Sequence, residues 1–199
     1  MRGQFYRTGY LAVRAFAMAL VLSLLAVGGS AGAASYKDYA AGLVQKLPSE
    51  AQFRPDLEAV LSGLANSYRV QEGKPALKAD GLFQLAARAH AADMILHNFM
   101  GHRASTGQDF DGRMRALVGD VTRFPSLAEN AAKESQRTPV DAAKARALFQ
   151  EWLDSPPHKR ALRSLDYNFV STGVVQRGNT IWAVQIFWAT PRAHGIFGN

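Results

Sequence analysis

Cysteine is absent from the sequence. Disulfides, thiol nucleophiles and thiolate metal sites are therefore excluded, and an exported chain of this kind must hold its fold by its core alone. Internal repeats, low-complexity tracts and serine-nucleophile motifs are missing as well, and only one long hydrophobic run occurs. No acidic residue precedes Asp38, and the first residues contain no Arg-Arg pair, so nothing points to export of a prefolded chain.

What is present at the start is a leader. Arg2, Arg7 and Arg14 precede and enter an apolar run from Ala15 to Val27, broken only by Ser23, after which small residues take over. Ala31-Gly32-Ala33 has the small-x-small form that signal peptidase accepts, so residues 1–33 read as a secretory signal cut after Ala33. The apolar run falls short of the roughly 20 residues that span a bilayer. An uncleaved anchor is the alternative; with cleavage, no stable membrane span remains. The three arginines leave with the leader, which takes the formal charge from +7 to +4. That mild positive balance gives little support for nucleic acid as a partner and suits an anionic envelope surface better. The expected location is periplasmic or extracellular.

The remainder divides into an N-terminal extension (34–54), a single domain (55–190) and a flexible tail (191–199) that includes His194. Tyr36 to Leu47 reads as a short helix ended by Pro48. Leu57, Val60, Leu61, Leu64, Ala65 and Tyr68 recur at helical spacing up to the break at Gly73 and Pro75. A second helix is expected from an N-cap at Asp80 to about His97 or Asn98, with Leu82, Leu85, Ala86, Ala89 and Leu96 on one face. Gly101 to Gly112 reads as a loop, followed by a short helix to Leu117 and a weak strand from Leu127 to Ala132. Asp141 opens a helix with Ala142, Ala145, Leu148, Phe149 and Trp152 inward, and Ser155-Pro156-Pro157 starts another. Phe169–Gln176 and Thr180–Trp188 then form two strands joined by a Gly178-Asn179 turn. In the second, Trp182, Val184, Ile186 and Trp188 face one way while Ile181, Ala183 and Phe187 face the other. Both faces are therefore covered, as in an antiparallel sheet between helical layers.

Three fragments carry ionisable groups at element boundaries: Phe99-Met100-Gly101-His102, Leu127-Ala128-Glu129-Asn130, and the run from Trp152 through His158 to Arg160. Two imidazoles and a carboxylate are the ligand set of an open zinc site, and equally a general base with its orienting partner. Spacing does not bring them together. Singly, His102 reads as a loop residue bonded to backbone, and Glu129 as the counter-charge of a neighbouring arginine. His158 reads as a neutral imidazole near a helix N-terminus. His90 fits a buried structural residue with a polar partner, and His97 a solvated or packing role. Trp152, Trp182 and Trp188 fit the core, and Arg103, Arg113 and Arg115 a solvated basic rim.

The ordered set of fragments resembles the CAP superfamily, which groups cysteine-rich secretory proteins, antigen 5 and pathogenesis-related proteins. Asn66 to Arg69 with Gly73 to Leu77 is similar to its opening helix and turn. Leu85 to His102 resembles its second helix and first histidine, and Gly107 to Met114 the loop and helix that follow. Ala128-Glu129-Asn130 looks like its Gly-Glu-Asn element. Trp152 to Arg160 resembles the bacterial form of its later helix, and Gly173-Val174 with Trp182 to Trp188 its closing hairpin. The resemblance implies an α+β fold, a three-layer α-β-α sandwich with a small antiparallel sheet between helices. It also implies a cleft holding His102, Glu129 and His158, with His102 and His158 as the residues for a metal. Two departures reduce the acidic half of that cleft: Ser155 stands where many members carry a second glutamate, and Ala128 replaces the glycine.

Two functions follow from that resemblance. One is a binding module whose cleft takes an envelope or extracellular ligand, a lipid, glycan or peptide, with zinc or another divalent cation on the two histidines. The alternative is a metal-dependent hydrolase, peptidase or esterase-like, with His102, Glu129 and His158 as its machinery. A third reading has the histidines only hydrogen-bonding across the cleft.

Overall fold

The structure, a computed structural model, describes residues 35–190. The signal sequence and the C-terminal tail read from the sequence lie outside the described residues. The elements run α1 (Tyr36–Gln45), β1 (Ala51–Phe53), α2 (Pro55–Gln71), β2 (Lys78–Ala79), α3 (Gln84–His97), α4 (Phe110–Val118), β3 (Leu127–Glu134), α5 (Ala142–Asp154), α6 (Pro156–Arg163), β4 (Phe169–Arg177) and β5 (Thr180–Trp188).

The sheet order is β1-β4-β5-β3, antiparallel throughout, with the two-residue β2 added in parallel on β4. β4 and β5 turn over at Gly178-Asn179, where Arg177 faces Thr180 and Gly178 takes φ +56. β5 is central, and its alternation organises two cores. Trp182, Val184, Ile186 and Trp188 pack with α1, α3 and α4. Ile181, Ala183 and Phe187 pack with α2 and α5, around Trp152. The fold is α+β, a sheet between two helical layers, as the resemblance implied.

Three expectations change. α3 begins at Gln84, not near Asp80, because the sheet claims Asp80: its N–H donates to Val170 O at 3.0 Å and its carboxylate accepts from Leu82 N–H at 2.7 Å. Nor does α3 have a single apolar face. Ala86, Ala87 and every residue from Ala89 to Ile95 are buried, while Leu82 is exposed. Small alanines let this helix lie against β4, where a Cβ on Gly173 would sit 2.4 Å from Arg88 N. The segment set apart as an extension also contributes structure. Tyr36, Ala40 and Leu43 of α1 enter the first core, and β1 pairs with β4. No helix among the described residues is long and apolar enough to cross a membrane.

Candidate functional site

The loop that carries His102 is held at several points. α3 ends at His97, with Asn98 left-handed at φ +52, and Gly101 also takes a positive φ. Asp93, fully buried on α3, accepts from Ser105 N at 2.9 Å, Ser105 Oγ at 2.5 Å and Tyr39 Oη of α1 at 2.7 Å. His90, equally buried, donates from Nε2 to Gly101 O at 2.8 Å. His90 thus has the structural role read from its position. His97 is exposed, 3.5 Å from Asp93.

Glu129 projects from β3 toward this loop. Its carboxylate accepts from His102 Nδ1 at 2.9 Å and, through both oxygens, from Arg113 Nη2 at 2.7 and 2.8 Å. The same Nη2 reaches His102 O at 3.1 Å. Arg113 is therefore not part of a solvated rim: it is fully buried in α4, a helix capped by Asp109 through Gly112 N–H. Burial alone would raise the Glu129 carboxyl. The Arg113 guanidinium, the bond from His102 and nearby His90 outweigh it and hold the group below the usual carboxylate range. The neighbouring arginine expected as the counter-charge of Glu129 is thus Arg113, which the sequence did not single out from Arg103 and Arg115. A glutamate on a strand turned into a core needs a cation, and that was the available signal.

His158 arrives from the opposite layer. Ser155-Pro156-Pro157 starts α6 as expected, although Ser155 makes no side-chain capping bond. Arg69, buried on α2, fixes the far end of α6 by donating to Leu162 O at 2.8 Å and Ser164 O at 2.7 Å. Asn130 Nδ2 donates to His158 O at 3.2 Å. The His102 and His158 rings lie 6.2 Å apart, edge to face. Burial, then the neighbouring His102, lowers the His158 pKa and favours its neutral form. Its buried Nδ1 has no partner. Asp154 turns away to Gln150, whose Nε2 donates to its carboxylate at 2.8 Å.

His102, Glu129, Asn130 and His158 line a cleft of about 940 Å³, with Lys74, Lys159, Arg160 and Tyr167 among its walls. His102 makes no hydrogen bond through Nε2 among the described residues, and His158 Nδ1 is buried without a partner; unbonded imidazole nitrogens are the donor type that zinc takes. Glu129 is already engaged by Arg113. Among the described residues, no group of three or more histidine or carboxylate side chains is arranged to hold a metal ion.

Compared with protein-family models, residues 63–187 match CAP, the cysteine-rich secretory protein family. Among solved structures, the chain resembles an outer surface protein from Borrelia burgdorferi at 17% identity and TM-score 0.58, covering 70% of this chain and 98% of that one. It also resembles an extracellular protein containing an SCP domain from Bacillus anthracis, at 23% identity and TM-score 0.55, covering 70% and 45%. A cysteine-rich secretory protein from Staphylococcus aureus gives 18% identity and TM-score 0.50, covering 67% and 38%. The chain thus spans less than half of the latter two. No curated protein matches its sequence.

Proposed function

The chain belongs to the cysteine-rich secretory protein (CAP) family, and from that premise we propose that it is an exported binding module whose cleft takes an envelope or extracellular ligand. The ligand is a lipid, glycan or peptide, met in the periplasm or outside the cell after removal of residues 1–33. One observation carries the reading: His102 and His158, delivered by opposite layers of the sandwich, meet edge to face at 6.2 Å in the lining of a cleft of about 940 Å³. That volume lies within the range of small-ligand sites.

The two histidines would hold zinc or another divalent cation through neutral imidazole nitrogen. Such an ion would polarise a ligand oxygen and orient it. The protein's own residues do the rest. Arg113 and Glu129 fix the His102 ring, and Asn130 and Arg69 fix α6 and with it His158. The hydrolytic alternative requires Glu129 as a base, and for that it would have to give up Arg113. This cost favours binding over hydrolysis.

Calorimetric titration of the metal-free protein with zinc tests the metal, run beside His102→Ala and His158→Ala. Micromolar or tighter binding, roughly 8 kcal/mol or more, is expected in the parent and lost in both variants at unchanged fold. Binding that survives both substitutions would remove the metal from the proposal.

A further inference from the structure

β3 is an edge strand, and part of its main chain faces the cleft. In an antiparallel ladder, residues that exchange both bonds with the partner alternate with residues whose N–H and C=O turn away. Ala189 N donates to Ser126 O at 3.2 Å, and the register pairs Ala128 with Phe187 and Asn130 with Gln185. The even-numbered residues therefore bond to β5. Leu127, Glu129, Ala131 and Lys133 turn their main-chain groups outward. Glu129 supports this independently. Its side chain is only 1% exposed, yet the residue as a whole is merely half-buried, so what solvent reaches is main chain. No hydrogen bond from any other described segment meets those outward groups.

Two cavities follow one another along this edge. The large cleft is lined by Ala128, Glu129 and Asn130. A second, of about 350 Å³, is lined by Ala131, Ala132 and Lys133 together with Met100 and Trp152. His158 borders both. Asn130, 1% exposed, also lines the large cleft, and its buried Oδ1 has no partner. A free strand edge bordered by successive side-chain pockets is the arrangement that accepts an extended peptide as an added strand.

We propose that the cleft binds an extended acidic peptide, which pairs with the outward main chain at Glu129 and its neighbours. Its acidic side chain would meet Lys74, Lys159 and Arg160, which have no ion-pair partner among the described residues. An apolar side chain would enter the smaller cavity against Met100 and Trp152. Peptide is the choice among the three ligand classes because neither lipids nor glycans repeat an N–H and a C=O at the roughly 3.3 Å rise per residue of a strand. The inference rests on the reading of the cleft as a binding site.

The test uses the protein recovered after export and a fluorescein-labelled decapeptide of alternating valine and glutamate. A second copy of that peptide is N-methylated at every residue, and polygalacturonate and phosphatidylglycerol vesicles serve as the other arms. Anisotropy should show binding of the first peptide, weakened about tenfold or more both by N-methylation and by Lys159→Glu with Arg160→Glu. Amide exchange at Glu129 and Ala131 should slow when the first peptide binds. Equal affinity of the two peptides, or binding without protection at Glu129, would overturn strand addition. Binding of polygalacturonate or vesicles alone, lost in His102→Ala and His158→Ala, would reject the peptide and keep the cleft as a binding site. Failure of every probe would reject both.

Discussion

A single nitrogen of Arg113, Nη2, donates to both carboxylate oxygens of Glu129 at 2.7 and 2.8 Å, with the two side chains 0% and 1% exposed. This pair joins α4 to β3 inside the protein, and His102 is seated on its outer side. The pair is thus a buried, charge-balanced support, with His102, 51% exposed, resting on it. Removing either charge should act first on folding, whereas removing His102 should act first on the cleft.

Arg113→Met deprives the buried Glu129 carboxyl of its guanidinium and leaves it the bond from His102. Its expected cost is about 3–5 kcal/mol, read by urea denaturation. The double variant Arg113→Met with Glu129→Leu should recover a large part of that loss, since no lone charge remains. A single variant close to the parent would mean that the pair is not buried in solution.

His102→Ala removes a side chain that is 51% exposed and bonded to Glu129. Stability should fall by less than about 1 kcal/mol, while zinc binding is lost. A clear drop in melting temperature with affinity for cleft ligands unchanged would instead support histidines that only hydrogen-bond across the cleft.

Gly173→Ala places a methyl group 2.4 Å from Arg88 N and 2.5 Å from Ala87 C, both main-chain atoms of α3. Neither can move without shifting the helix. The expected loss is about 1–3 kcal/mol or more, measured by thermal unfolding; an unchanged melting temperature would show that α3 does not lie this close to β4.

Acid should destabilise the protein in two stages. Burial lowers the pKa of His90 and of His158 in the folded state from the ordinary imidazole value of 6.5. The unfolded chain then binds more protons, so stability is complete above about pH 6.5 and falls as pH drops toward the folded values. Glu129, held below the ordinary glutamate value of 4.5, adds a second loss as pH falls below that value. Denaturant midpoints against pH should show both legs. His90→Asn should weaken the upper one, and an upper leg unaltered by that change would remove His90 as its source.

Asp93→Asn tests how the His102 loop is held. Asp93 accepts from Ser105 N, Ser105 Oγ and Tyr39 Oη, and an amide cannot accept all three as well. A loss of about 1–3 kcal/mol is expected, with faster amide exchange at Ser105 and weaker zinc binding. Unchanged exchange at Ser105 would show that the loop is held elsewhere.

Much of this fold was legible along the chain. The turn at Gly178-Asn179, the two faces of β5 and the cap at Asp141 all follow from side-chain period and turn chemistry over a few residues. The start of α3 was not, because β4 competes for Asp80 from about 90 residues away in sequence. Arg113 was misread for a similar reason. A lone arginine on a short helix has the composition of a surface residue, and only the arrival of Glu129 from β3 gives it a buried partner.

By itself, then, the sequence determined the helices, the hairpin and the two-sided burial of the sheet, and it offered His102, Glu129 and His158 as candidates. Each of these depends on local periodicity or on an ordered set of short motifs. Tertiary structure decided that His102 meets Glu129, that His158 comes from the other layer, and that the main chain of β3 borders the cleft. Those relations are distances between segments far apart in the chain. They are set by how α3 and α6 pack on opposite faces of one sheet, which no local pattern encodes.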